Sequence, residues 1–312
     1  MKNNFLFTFC LFLNCLHAQP SLINWEIKEG IKGEDYFTKT IQLSNGNLAA
    51  IGNFPSPDGL KKYGFLSLID FSTGKILKKI SFGNQNEIFI HDIIELPEGN
   101  MLMVGYSSFN KINYPWLIKL DASGNKLLEK VLPLPEGSIL TSIHSDLENG
   151  FYLTAKINNG DIFFIRLSNE IDIIWKKLAL SGSNGELSKV SIGPNGSVYL
   201  GGNSKKGEGQ NLGDVWISSL DKNGNELWRK SFGGKLWEEL NDLTTLPDGS
   251  ILFCGETNSL GNGKQDFWLV KLNNNGFLQW ERTYGGREAD IATSILPLFN
   301  GNIWLAGSSL SL

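Results

Sequence analysis

Asp266-Phe-Trp-Leu-Val-Lys-Leu272 is followed by Asn273-Asn274-Asn275-Gly276, and then by Phe277-Leu-Gln-Trp-Glu-Arg-Thr-Tyr284, which Gly285-Gly286 closes. Asp290-Ile-Ala-Thr-Ser-Ile-Leu-Pro297 and Asn302-Ile-Trp-Leu-Ala-Gly307 complete the stretch. Each run is short and rich in β-branched and aromatic residues, and each is bounded by glycine, asparagine or proline. Four such runs in succession predict four short strands and no helix. Working outward, the same order recurs upstream: Asp214-Val-Trp-Ile, Leu227-Trp-Arg-Lys-Ser-Phe-Gly-Gly234, Asn241-Asp-Leu-Thr-Thr-Leu-Pro247 and Ile251-Leu-Phe-Cys-Gly255. Weaker copies begin at Tyr63, Pro115 and Asp161.

Turn glycines set the period. They stand at Gly46, Gly99, Gly150, Gly196, Gly249 and Gly301, about 50 residues apart. Four-stranded units of this length are blades of a β-propeller, because one blade alone cannot bury both of its faces. The expected fold is all-β, a single β-propeller of about six four-stranded blades, with five or seven as alternatives. Trp116, Trp216 and Trp268 recur at one repeat position, and Trp25, Trp175, Trp228 and Trp280 at another. Such recurrence predicts packing between blades. Leu22 to Gly30 matches the second strand of the unit, so the N-terminal strand is expected to join the last blade and close the ring.

The chain has 312 residues, 35 glycines, 9 tryptophans and a formal net charge of −4. That modest, mixed charge gives no reason to expect nucleic-acid binding. Lys2 precedes a short apolar run from Phe5 to Leu16, followed by His17-Ala18-Gln19, which predicts a signal peptide over residues 1–18 and a propeller domain over 19–312. The run is too short to span a bilayer. Export to the periplasm, the cell surface or the medium is expected. Lipidation at Cys15 is disfavoured, because Asn14 is a poor residue before a lipid-bearing cysteine. Past residue 18 only Cys254 remains, so no internal disulfide is expected, and its apolar setting predicts a buried thiol.

The pattern Asp-x-x-Gly-Asn-x-x-Trp-x-Lys-x-Phe-Gly-Gly followed by Leu-Pro-Asp-Gly-Ser-Ile-Leu is carried by Asp221 to Gly234 and Leu246 to Leu252. It resembles the propeller repeat of secreted Gram-negative bacterial proteins, and the strand order resembles that of NHL-type propellers. The resemblance implies that the strand beginning near Asp290 is innermost and the Trp280 strand outermost. It implies little about activity.

Tight turns such as Pro247-Asp248-Gly249 and Asp221 to Gly224 should share one face. The longer connections, Asn203 to Gly213 and Thr257 to Gln265, should share the other, where function is expected. Acidic residues follow the outer strand toward that face: Glu34, Asp35, Glu87, Glu186, Glu239, Asp242, Glu288 and Asp290. They form a candidate ring for a cation or a basic group. The competing reading is that each carboxylate caps backbone N–H groups locally. No catalytic residue and no metal ligand is assigned: His91 and His144 lack ligand spacing, and no nucleophile elbow occurs. No cofactor is called for, although a structural cation stays open. The preferred reading is an exported, non-catalytic binding or scaffold propeller whose partner is a protein or a glycan. The alternative is a glycan hydrolase or lyase with its acids at the channel mouth. Whether the chain is an enzyme is left open.

Overall fold

The computed structural model describes residues 36–56, 61–83, 86–146, 150–180, 185–204, 214–298 and 300–311, and every regular element in them is a β-strand. The chain divides into two compact units, Met1–Leu134 and Pro135–Leu312. In the first unit, one sheet joins β1 (Tyr36–Gln42), β2 (Leu48–Pro55), β3 (Lys62–Ile69) and β4 (Ile76–Phe82). A second joins β5 (Glu87–Glu95), β6 (Met101–Phe109), β7 (Ile112–Leu120) and β8 (Lys126–Val131).

The second unit contains β9 (Ile139–Ser145), β10 (Phe151–Lys156), β11 (Ile162–Leu167) and β12 (Ile173–Leu180) as one sheet. Another is β13 (Gly185–Ile192), β14 (Val198–Ser204), β15 (Val215–Leu220) and β16 (Glu226–Phe232). A third is β17 (Glu238–Thr245), β18 (Ile251–Thr257), β19 (Asp266–Leu272) and β20 (Leu278–Tyr284), and β21 (Asp290–Pro297) pairs with β22 (Ile303–Ser309). Each sheet is an antiparallel meander in chain order, so the expected blade unit is present in six sheets, the last of two described strands. The N-terminal strand expected to close the ring, Leu22 to Gly30, lies outside the described residues, as does the signal segment.

Burial follows strand position. Every residue of β18 is buried, whereas β4 alternates between half-buried and exposed positions. A second strand covered on both sides reads as a continuous apolar run, and a fourth strand with one wet face alternates. In the first unit Ile51, Leu66, Ile90, Met101, Met103 and Ile118 form one core. In the second, Tyr199, Ile217, Leu240, Phe253, Trp268 and Val270 form another. Each such side chain contributes about 1.5–3 kcal/mol of burial.

The recurrent tryptophans have two distinct roles. Trp116 and Trp268 are buried, and their indole N–H groups donate to Glu129 at 2.9 Å and Glu281 at 3.0 Å on the adjacent fourth strand. The corresponding position beside Trp216 holds Arg229, whose guanidinium sits 4.7 Å from the indole ring. Trp175 and Trp228 instead reach across to the next sheet. A Cβ on Gly224 would stand 2.7 Å from Trp175, and one on Gly276 would stand 2.7 Å from Trp228. The same turns receive a lysine: Lys177 donates to Asn225 at 2.6 Å and Lys230 to the Asn275 carbonyl at 2.9 Å. In the first unit Lys78 donates to the Ser123 carbonyl at 2.7 Å, and Ile80 lies against Gly124.

Candidate functional site

The first strand of each sheet carries a β-bulge. Register shifts fall between Phe37 and Lys39, Ile90 and Asp92, Leu140 and Ser142, Leu187 and Lys189, Leu240 and Asp242, and Ala292 and Ser294. A bulge twists its strand and re-aims the side chains beside it. Asp92 and Asp242 stand just after their bulges and occupy equivalent positions. Asp92 Oδ1 accepts from the Ile93 N–H at 2.8 Å, and Asp242 Oδ1 from the Leu243 N–H at 3.0 Å. Each also faces a lysine from the preceding sheet: Asp92 meets Lys39, and Asp242 meets Lys189 at 3.9 Å. Asp242 Oδ2 accepts from the Ile295 N–H of the following sheet at 3.0 Å. Asp242 thus stitches β13, β17 and β21 together.

The remaining candidates within the described residues have local neighbours. Glu87 Oε1 accepts from the Lys62 N–H at 3.0 Å. Glu239 pairs across the strands with Glu256. Glu288 is exposed and bridges to Lys264 at 2.8 Å. Asp290 is buried, and its Oδ2 accepts from the Gly286 N–H at 2.9 Å and the Ser311 hydroxyl at 2.8 Å. A hydrogen bond from Ser309, followed by that from Gly286, holds its pKa below the usual carboxylate value. Glu186 pairs with Asn203 at the backbone. Glu34 and Asp35 lie outside the described residues, as do residues 205–213 of the long connection. Among the described residues no group of three or more histidine, cysteine or acidic side chains is placed to hold a metal.

His91 is the extra residue of the β5 bulge. It packs 5.8 Å from Phe89 and 5.7 Å from Tyr106, ring centre to ring centre. Its Nε2 is buried without a hydrogen-bond partner. Burial lowers its pKa, against the opposing pull of the Asp92 charge. Cys254 is buried and free, as its apolar context predicted, and burial pushes its thiol pKa up.

Three acids escaped the sequence reading as site residues. Asp214, Glu238 and Asp266 gather with Asp290 at the connections from a fourth strand into the next sheet. A Cβ on Gly233 would stand 2.6 Å from Glu238 Oε2 and 2.7 Å from Asp214 Oδ1. A Cβ on Gly285 would stand 2.7 Å from Asp290 Oδ2 and against Asp266 Oδ1. Burial, and then the Glu238 charge, raises the Asp214 pKa. The signal was present in the sequence: Asp214 and Asp266 both precede a tryptophan run, and Gly-Gly ends both fourth strands.

No family model and no curated protein matches the sequence. Solved structures do resemble the fold. A Dos1 propeller superposes with a TM-score of 0.58 at 11% identity, covering 88% of this chain and 66% of its own. Puromycin hydrolase gives 0.59 at 12% identity, covering 89% and 44%. The Pan2 WD40 domain of Neurospora crassa gives 0.55 at 10% identity, covering 84% and 68%. This chain therefore spans about two thirds or less of these structures, and what the likeness establishes is the β-propeller fold. No helix among the described residues is long and apolar enough to cross a membrane.

Proposed function

We propose that the chain is an exported, non-catalytic binding or scaffold propeller. In this reading residues 1–18 direct export, residues 19–312 form the propeller, and the repeat belongs with those of secreted Gram-negative proteins of NHL-like strand order. The observation that carries it is the local engagement of the candidate acids. Asp242 is tied to N–H groups of two strands, Glu87 to Lys62, and Glu288 to Lys264. Glycan cleavage needs two carboxyl groups facing one substrate across about 5–9.5 Å, and residues occupied in this way are poorly suited to it.

Binding falls to the end of the sheets where second strands lead into third strands. In an antiparallel meander the first-to-second and third-to-fourth turns share one end, and the other end carries the longer connections. Thr257 to Gln265 is the long connection within the described residues. It is held in shape by Asp266, which accepts from the Asn262 and Gly263 N–H groups, and by Glu238, which accepts from Ser259. A loop fixed in this way presents a preorganised surface to a protein or glycan partner.

The test is to immobilise the exported chain, probe it with envelope proteins and polysaccharides, and assay the polysaccharide reactions for new reducing ends. Saturable binding without cleavage is the expected result. Release of reducing ends that the double variant Glu239→Gln/Glu288→Gln abolishes would overturn the reading in favour of a glycan hydrolase.

A further inference from the structure

Three segments of the second unit meet where β18 leads into β19. On one side of that connection, Leu236 donates its N–H to Ser259 Oγ at 2.8 Å, and Asn258 donates from its backbone and its side-chain nitrogen to the Trp237 carbonyl at 3.0 Å. On the other side, a Cβ on Gly263 would stand against the Gly286 carbonyl oxygen and 3.1 Å from that of Glu288. Gln265 bridges to Ala289, and the Asp290 N–H donates to the Gln265 carbonyl at 2.8 Å. Within the connection, the Ser259 and Leu260 N–H groups both donate to Thr257 Oγ1 at 3.1 Å. Residues 233–238, 257–266 and 285–290 therefore form one surface with a clamped backbone.

This surface shows water aliphatic side chains and cations. Leu236 is 46% exposed and Leu260 38%, and Trp237 is half-buried. Apolar side chains held out on a fixed backbone and rimmed by polar groups mark an interaction site. Lys235, Lys264 and Arg287 are exposed on the same segments. The acids there are mostly withdrawn: Glu238, Asp266 and Asp290 are buried and accept from backbone N–H groups. Glu288 is exposed and pairs with Lys264. Lys235 and Arg287 thus leave the surface positive, on a chain whose net charge is −4.

Resting on the reading of this loop face as the binding surface, we infer that its partner is an acidic segment of another protein. Apolar side chains of that segment cover Leu236 and Leu260, and its carboxylates meet Lys235 and Arg287. The exposed leucines favour polypeptide over glycan, because an aliphatic side chain offers a sugar neither a flat ring face nor a hydrogen bond. Apolar contact at the centre supplies most of the affinity, while opposite charge at the rim speeds encounter and excludes basic competitors. The clamped connection adds to this by having little order left to lose on binding.

The experiment is selection of a displayed random-peptide library on the full chain, then titration of a selected, fluorescently labelled peptide into the parent, Leu236→Ser/Leu260→Ser and Lys235→Glu/Arg287→Glu. All four positions are exposed, and the bonds at 236 and 260 use backbone N–H groups, so both double variants should keep the parent's Tm. The selected sequences are expected to carry Asp and Glu around Leu or Phe. Each double variant should weaken binding at least about tenfold, and the charge variant should also flatten its salt dependence. Selected sequences without an acidic bias, or an affinity that either variant leaves unchanged, overturn the inference. So does binding of anionic phospholipid vesicles that the leucine variant abolishes, which would assign the face to lipid. Uncleaved neutral polysaccharide whose binding the leucine variant abolishes would keep the face as a binding surface and overturn only the acidic segment. Release of reducing ends is the separate result that overturns the binding reading itself.

Discussion

The indole of Trp175 lies against Gly224, a residue in the tight turn of the next sheet with φ at +73°. Two constraints meet at this glycine: the left-handed backbone penalises any Cβ, and the ring occupies the space a Cβ would need. Gly224→Ala is expected to cost about 1–3 kcal/mol, read as a lower urea midpoint at unchanged slope. Trp175→Ala should lower the midpoint as well, and adding Gly224→Ala to it should cost less than Gly224→Ala does alone, since the clash has gone.

His91 makes stability depend on pH. Its folded pKa lies below the ordinary value of 6.5. The imidazole's contribution is therefore fully present above pH 6.5 and is lost as pH falls through 6.5 toward the folded pKa, because the unfolded chain takes up the proton first. Unfolding free energies measured between pH 5 and 7.5 should decline on the acid side. His91→Phe, which suits the space between Phe89 and Tyr106, should flatten that segment of the curve.

The Cys254 thiol is enclosed within β18, beside residues that are themselves fully buried. In a chain beginning at Gln19, a thiol-specific reagent at pH 8 should leave it unmodified for hours in the folded protein and label one equivalent within minutes in denaturant. Rapid labelling of the native chain would show that β18 opens on its own.

Glu288 lies at the surface with Lys264, and an exposed pair of this kind contributes about 0–1 kcal/mol. Glu288→Gln should leave the urea midpoint within about 0.5 kcal/mol of the parent. Asp242→Ala should cost about 2–4 kcal/mol, because it leaves the N–H groups of Leu243 and Ile295 without their acceptor. Comparing the two variants separates a solvated acid from a structural one within the same candidate set.

Much of this architecture could be read from residue order. The runs bounded by Asn273 to Gly276 and by Pro247 to Gly249 became strands and turns, since turn chemistry and strand alternation are local properties. The buried thiol and the seam role of Trp175 and Trp228 were legible for the same reason, as repetition and apolar context both show in sequence. The bulges were not. Nothing in Glu238 to Thr245 marks Asn241 as an extra residue, because a bulge is defined only against the partner strand. The pairing of Asp214 with Glu238 was equally hidden. Two strands separate them in the chain, and only the meander returns the start of β15 to the start of β17. Proximity along the outer-strand connections drew attention to Glu239, Glu288 and Asp290, while Glu238, one position before Glu239 and buried, was passed over.

Trp175 and Lys177 leave one sheet for the turn of its successor, and Trp228 and Lys230 repeat the step onward, so the sheet of β13 to β16 offers a plug on one flank and a socket on the other. Such head-to-tail joints have no mirror partner and no natural stopping point. A gene segment encoding one whole unit, duplicated in frame, would arrive already able to dock with both of its neighbours. The number of units is therefore a property that inheritance can change by whole copies.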